Sequence, residues 1–379
     1  MALRLPPGPD WLAQAEQVWS RGNAVLPLPS DAPAAAVETT LTAFRPAALI
    51  DVDGAHDLPA GVPVAAGTAA VLATSGSTGV PKGVILSHAA LAASARASVA
   101  RLDITAADRW LCCLPLHHVA GIQVLLRSRL TGVEPVIHPG FSVPAVQAER
   151  GVTLAALVPT MLRRLLDEGA DLQHLRLILL GGAAPGTQLL ADAAATGLRV
   201  VTTYGMTETS GGCVYDGRPL DGVDVRLDDA GHICLRGAPL FDGYRLHEAL
   251  TAATLSGGWL RTEDLGRFDE QGRLQVLGRA DDVIVTGGEN VAAGAVAELL
   301  QRHPAVAEAA VVPRADDEWG QRVVAFVVPN GQAPTLADLR RFAQSQAPAA
   351  MAPRELLVVA SLPRLATGKV DRQALLRLL

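Results

Sequence analysis

The chain has 379 residues, room for about two or three domains. Apolar residues make up 49% and charged residues 18%, so a large core is available and general disorder is excluded. A net charge of −6 leaves no electrostatic footprint for nucleic acid or an acidic lipid surface. No run of about 18 uncharged apolar residues suggests membrane insertion, and no secretory leader is visible.

Residues 1–70 are rich in Ala and Pro, and helical spacing is legible there only over about 11–20. The next stretch reads as strand, Gly/Ser/Thr loop, strand and helix. Its first strand, 70–74, is short, apolar and bounded by turn residues, and Ser87 is placed to cap an Ala-rich helix. Apolar strands at 109–114, 153–158 and 175–180 then alternate with helices at 161–167 and 188–195, which predicts α/β architecture with covered sheets. From 214 to 277, short runs at 223–227, 232–236 and 274–277 alternate with Gly and Asp turns and predict a β-rich subdomain. The last hundred residues predict a small α+β unit, with helices at 293–302, 336–345 and 371–378 and strands at 309–312, 323–328 and 355–359. The polar stretch 278–282 marks the boundary, giving domains of 1–280 and 281–379.

The four cysteines, Cys112, Cys113, Cys213 and Cys234, form no CxxC pair and no zinc-spaced cluster with histidine. Reduced thiols in a cytoplasmic protein are the simplest reading. Of the 32 basic residues, 30 are Arg; the lysines are Lys82 and Lys369 alone. Against such a bias, each marks a place where a compact ammonium on a flexible stem suits better than a planar guanidinium.

Lys82 closes the most informative stretch, Thr74-Ser75-Gly76-Ser77-Thr78-Gly79-Val80-Pro81-Lys82-Gly83. Its glycines let backbone N–H groups turn toward an anion, its hydroxyls can donate to phosphate oxygens, and Lys82 adds positive charge. Pro81 before the lysine and Gly83 after it break the Walker A pattern, which argues against an NTPase or kinase of that class.

This decapeptide resembles the nucleotide-phosphate loop of the adenylate-forming superfamily, which includes acyl-CoA synthetases, adenylation domains and luciferases. Further segments resemble that family's motifs in the expected order. The resemblance implies that Gly182, Ala183 and Ala184 flank adenine, and that Tyr204, in Tyr204-Gly205-Met206-Thr207-Glu208-Thr209, packs on it. Thr207 would meet phosphate, Glu208 would hold Mg²⁺, Asp264 would accept the ribose hydroxyls, and Arg279 would lie near the ribose. Asp281 would be the pivot of a small mobile C-terminal domain. Gly287, Gly288 and Glu289 would line the site during thioester formation, and Lys369 would be the catalytic lysine. His118 matches the family histidine between the acyl pocket and the phosphates, with His117 in place of the usual aromatic.

The implied chemistry joins an acid to a thiol using ATP, Mg²⁺ and CoA. Attack of a carboxylate on the α-phosphorus expels pyrophosphate, and a thiol then displaces AMP. Positioning and electrostatics carry such a reaction, without a protein nucleophile. Segments 114–129 and 204–220 resemble a branch of the family whose acid is an aromatic dicarboxylate. Its second carboxylate would need polar partners, for which His118, Gln123, Thr209, Ser210 and Gly211 are candidates. A different acid ligase, a carrier-protein-loading enzyme and a non-catalytic nucleotide-binding protein stay open as alternatives, as does a homodimer. The chain departs from the family pattern at Glu263, where Gly is usual, at His232, where Glu is common, and after Asn290, where a Pro and the first Glu are missing.

Overall fold

A computed structural model describes residues 1–74, 81–364 and 370–379, without the side chains of Asp281 and Asn290. Contacts divide the chain into two compact units: Met1–Arg226 with Cys234–Arg261, and Leu227–Ile233 with Thr262–Leu379.

In the first unit, the Ala/Pro-rich start does more than form the helix Pro9–Ser20. It also builds a four-stranded sheet in the order Leu26–Pro27, Ala2–Arg4, Ala48–Asp51, Gly54–Asp57. These strands are two to four residues long, too short for alternation of apolar and polar residues to show in the sequence. A second, three-stranded sheet holds Thr68–Thr74 antiparallel to Lys82–Ser87, with Gly243–Tyr244 on the far edge. Ser87 accepts a hydrogen bond from the Ala90 N–H at 3.3 Å and starts the helix His88–Arg101, as its residue type predicts.

The third sheet sets the geometry of the site. Five strands, Val136–Ile137, Trp110–Cys112, Leu154–Leu157, Leu177–Leu180 and Val200–Met206, run parallel in that spatial order. Gly211–Tyr215 and Arg218–Pro219 extend it antiparallel. Ile178, Leu180, Ala155 and Leu157 pack against Leu162 and Leu165 of the helix Pro159–Asp167 and against Leu189 and Ala193 of Thr187–Ala195. With every loop of the parallel strands opening at the same carboxyl-terminal edge, residues far apart in sequence are delivered to one face.

The second unit is built on a long antiparallel hairpin, Val306–Asp316 with Gly320–Pro329, and Glu355–Val358 adds parallel to it. Alternate residues serve two cores. Ala309 and Val311 join Val296 and Leu300 of the helix Ala293–Gln301, while Ala310 and Val312 join Leu362 and Leu375. Val283–Thr286 and Glu289–Ala292 form a second hairpin whose two turn residues are Gly287 (φ 60°) and Gly288 (φ 81°). Left-handed backbone at both positions is what a two-residue turn of this hand requires. The division by contacts falls within Trp259–Phe268, upstream of the 280/281 boundary expected from the hinge-like stretch.

Candidate active site

Loops after three of the parallel strands carry residues singled out in the sequence. His117 and His118 follow Trp110–Cys112, Gly182–Ala184 follow Leu177–Leu180, and Tyr204–Thr207 end and follow Val200–Met206. Gly182, Ala183 and Ala184 are exposed at that edge, with Gly182 in the left-handed region at φ 82°. The Tyr204–Gly211 turn is tightly made. A Cβ on Gly205 would lie 2.2 Å from the Gly211 carbonyl oxygen, so only glycine fits. Thr207–Thr209 form one 3-10 turn, and Ser210 (φ 54°) and Gly211 (φ 103°) reverse the chain.

Two of the acid-pocket candidates hold this turn together with their hydroxyls. Thr209 Oγ1 accepts from the Met206 N–H at 2.9 Å and donates to the Gly211 carbonyl at 2.6 Å. Ser210 Oγ donates to the Pro239 carbonyl at 2.8 Å. Gln123 is fully buried; its amide donates to the Leu91 carbonyl at 3.2 Å, and its Oε1 has no partner among the described residues. Gln123 Cγ would lie 3.3 Å from a Cβ on Gly211, so the glycine makes room for this side chain.

Sequence reasoning missed Arg127, one turn along the helix Val119–Thr131 from Gln123. It is buried against the Trp110 ring at 5.5 Å, and Nη2 reaches the Tyr215 hydroxyl at a long 3.4 Å. Its Nε has no partner among the described residues, nor does the guanidinium meet a carboxylate among them. The i,i+4 spacing from Gln123 was the available signal, since Arg129, two residues on, points outward to Glu16.

Lys82 and Glu208 meet at a third residue the sequence did not point to. Glu208 is half-buried, and its main-chain carbonyl accepts from the Phe241 N–H at 2.8 Å. Tyr244 donates its hydroxyl to Glu208 Oε1 at 2.8 Å, and Lys82 Nζ stands 5.7 Å from the centre of the Tyr244 ring. Among the described residues Lys82 has no salt bridge and Tyr244 is the one partner of the Glu208 carboxylate. A single carboxylate with one oxygen still available suits a hard cation whose other ligands are phosphate oxygens and water, so these residues fit Mg²⁺.

Burial and the neighbouring His118 push the His117 imidazole down to about 4, against an upward pull from Asp31; the two histidine rings are 4.4 Å apart. All four cysteines are buried, and burial pushes the Cys112, Cys113 and Cys213 thiols up to about 12, 11 and 12. Such thiols are packing groups with no thiolate at neutral pH.

In the second unit, Asp264 is half-buried and pairs across its hairpin with Arg279. Gly287, Gly288 and Glu289 are exposed, and a Cβ on Gly287 would lie 2.9 Å from the Trp319 ring. Ser75, Gly76, Ser77, Thr78, Gly79 and Lys369 lie outside the described residues, as does the side chain of Asp281.

A family model described as AMP-binding enzyme matches residues 56–245, and one described as AMP-binding enzyme C-terminal domain matches 295–369. The chain is 44% identical over 324 residues to a Mycobacterium tuberculosis protein named "Probable 2-succinylbenzoate--CoA ligase", covering 82% of this chain and 84% of that one. It is 37% identical to a Bacillus cereus 2-succinylbenzoate–CoA ligase, over 81% of this chain and 69% of the relative. Among solved structures it is similar to o-succinylbenzoate CoA synthetase of Bacillus subtilis in complex with the acyl-adenylate intermediate. There the TM-score is 0.88 and the identity 29%, covering 99% of this chain and 87% of that one. The same Bacillus enzyme with ATP and magnesium ion gives a TM-score of 0.86 at 29% identity, over 98% and 88%.

Proposed function

The chain belongs to the AMP-binding enzyme family, and from that premise we propose that it joins 2-succinylbenzoate to coenzyme A in two steps, a reaction of menaquinone biosynthesis. First, a carboxylate oxygen of the acid attacks the α-phosphorus of ATP; the bond to the β-phosphate breaks and pyrophosphate leaves. Then the CoA sulfur attacks the acyl carbon, the bond to the phosphate oxygen breaks, and AMP leaves. The observation that carries the reading is the pairing of Lys82 and Glu208 around Tyr244, in a unit whose parallel strands send the adenine-type loops to one edge.

Each group then has a task that its surroundings suit. Lys82 holds the β- and γ-phosphates together with the segment 75–79, and Thr207 meets phosphate. Glu208 holds Mg²⁺, which when bound screens the negative charge that keeps two anions apart. Tyr204 and Gly182–Ala184 hold adenine, while Asp264 and Arg279 take the ribose. His118 stands between acid and phosphates. Lys369 binds the attacking carboxylate and the α-phosphate in the first step. A swing of the C-terminal domain, 281–379, about Asp281 then exchanges it for the Gly287–Glu289 turn.

For the acid, the succinyl carboxylate reacts and the benzoate carboxylate needs a fixed counter-charge. Arg127 supplies it, with Gln123 beside it: both are buried, and both carry polar atoms without a partner among the described residues. No helix among the described residues is long and apolar enough to cross a membrane, and the small, charged substrates are those of the cytoplasm.

The test is thioester formation from acid, ATP and CoA. A clear preference for 2-succinylbenzoate over benzoate and medium-chain fatty acids is expected. Preference for one of those controls overturns the substrate, and absence of acid-dependent ATP–pyrophosphate exchange with any acid overturns the reaction.

A further inference from the structure

Tyr244 is buried, and its place in the fold is fixed from several sides. Its strand pairs with the one that begins at Lys82, in the register Tyr244↔Val84 and Gly243↔Ile85. The Tyr244 N–H donates to Thr251 Oγ1 at 2.8 Å, and a Cβ on Gly243 would lie 2.8 Å from the Thr251 methyl, so the approach is close. The ring meets Phe241 edge-on at 4.9 Å, and the Phe241 N–H in turn holds the Glu208 carbonyl. Phenylalanine would fill the same apolar space. What the packing leaves to be explained is the hydroxyl and its bond to Glu208 Oε1.

We propose that Tyr244 is a positioning residue for the metal-nucleotide site, aiming the Glu208 carboxylate with its hydroxyl and seating the Lys82 ammonium with its ring face. This rests on the reading of Glu208 as the Mg²⁺ ligand. A carboxylate on a two-carbon stem rotates freely unless one oxygen is tied down, and a charge-assisted O–H···O⁻ bond from a buried phenol is a strong tie. Oε1 is engaged by the phenol, and the other oxygen is left for the cation. The ammonium lies within the distance at which a ring quadrupole attracts a cation. One rigid side chain therefore sets the spacing of the two opposite charges that must grip the same triphosphate. Partners that orient a metal ligand in this way are worth roughly 10- to 100-fold in metal affinity when removed.

The test uses Y244F, E208Q and the double variant in the full chain. Mn²⁺ binding in the presence of a non-hydrolysable ATP analogue is followed by electron paramagnetic resonance, with no acid or CoA present. Y244F is expected to weaken Mn²⁺ binding about tenfold and to raise the Mg²⁺ concentration for half-maximal pyrophosphate exchange by a similar factor. Near-normal kcat should return at saturating Mg²⁺, and thioester formation from supplied acyl-adenylate should be unchanged. In the E208Q background, Y244F should add less than twofold to the loss of Mn²⁺ binding. The proposal is overturned if Y244F leaves Mn²⁺ affinity within twofold of the parent, or if its effect is undiminished without the Glu208 carboxylate. Because the binding arm needs no acid, a wrong substrate would show in the thioester assay and leave this result standing.

Discussion

The two units hold the residues given roles in the proposed reaction in opposite ways. In the first, the polar groups are held by the framework: Glu208 by Tyr244, Ser210 by the Pro239 carbonyl and Ser94, and Gln123 by the Leu91 carbonyl. In the second, Arg279, Gly287, Gly288 and Glu289 are exposed on strands and a turn, while the fixed part is the double-sided hairpin beneath them. The contrast follows the chemistry. Adenylation brings two anions together, so its charges must be in place beforehand. In the proposed reaction, exchanging one half-reaction for the other uses a surface that presents different residues in turn, and such a surface cannot be buried in its own unit.

The sharpest way to break that comparison is to separate the two lysines. K369A should lower ATP–pyrophosphate exchange by about 10²- to 10³-fold, while thioester formation from supplied acyl-adenylate stays within a few-fold. K82M should instead raise the KM for ATP in the first half-reaction and leave the catalytic step less affected. Equal losses in both half-reactions for K369A would remove the division of labour between the units.

Next in size is a test of how firmly the first unit is braced. Arg245 is buried and donates its guanidinium to the main-chain carbonyls of Phe44, Arg45, Val62 and Pro63, while its own N–H donates to the Gly83 carbonyl next to Lys82. Phe44 also packs where a Gly83 side chain would be, its ring 2.9 Å from that Cβ position. R245M keeps the volume and strands several carbonyls, so it should cost about 3 kcal/mol of stability by urea unfolding. A loss below about 1 kcal/mol would mean that water replaces the guanidinium without penalty and that the brace is not where the rigidity comes from.

How much of this was legible in the sequence differs in the same way between regions. The segment 204–211 could be read because tight backbone leaves few residue choices there; Gly205, against the Gly211 carbonyl, is one. The Gly287-Gly288 turn was readable for the same reason, with both residues at positive φ. The strands at 223–227 and 274–279 announced themselves by turns at either end. The opening sheet did not, because its strands are too short for a period to form. Tyr244 was invisible for another reason. It meets Glu208, 36 residues away, and no local pattern encodes a partner at that distance. Arg127 meets Tyr215, 88 residues away, and left only its i,i+4 spacing from Gln123 as a local signal.

A smaller effect sharpens the acid pocket. R127M should raise the KM for 2-succinylbenzoate about 10- to 30-fold, the worth of a charged hydrogen bond or two. The KM for ATP should move less than twofold, and an analogue lacking the ring carboxylate should be bound equally by both forms. If the analogue suffers as much as the acid, Arg127 serves the packing around Trp110 and Tyr215 and not the second carboxylate.

The smallest effect is one of pH, and it tests whether the buried polar groups of the first unit are held in one protonation state. His117 titrates near 6.5 when unfolded and at about 4 when folded, because burial and His118 disfavour its charge. Between those values the unfolded chain binds a proton that the folded chain does not, so stability falls as pH drops from about 6.5 toward 4 and is flat for this group above about 6.5. Asp108 acts in a lower window. Burial would raise its carboxyl, but bonds from Arg176, the Thr105 N–H and Thr153 outweigh that and hold it below 3.8. Its contribution is complete above the unfolded value and is lost as pH falls through the folded one. The urea midpoint of the parent should therefore decline between pH 7 and 5, and H117Q should decline less over that interval. Burial lowers His88 and His174 as well, so a residual slope is expected in the variant. An unchanged slope would place the titration on those two histidines and leave His117 accessible to protons in the folded chain.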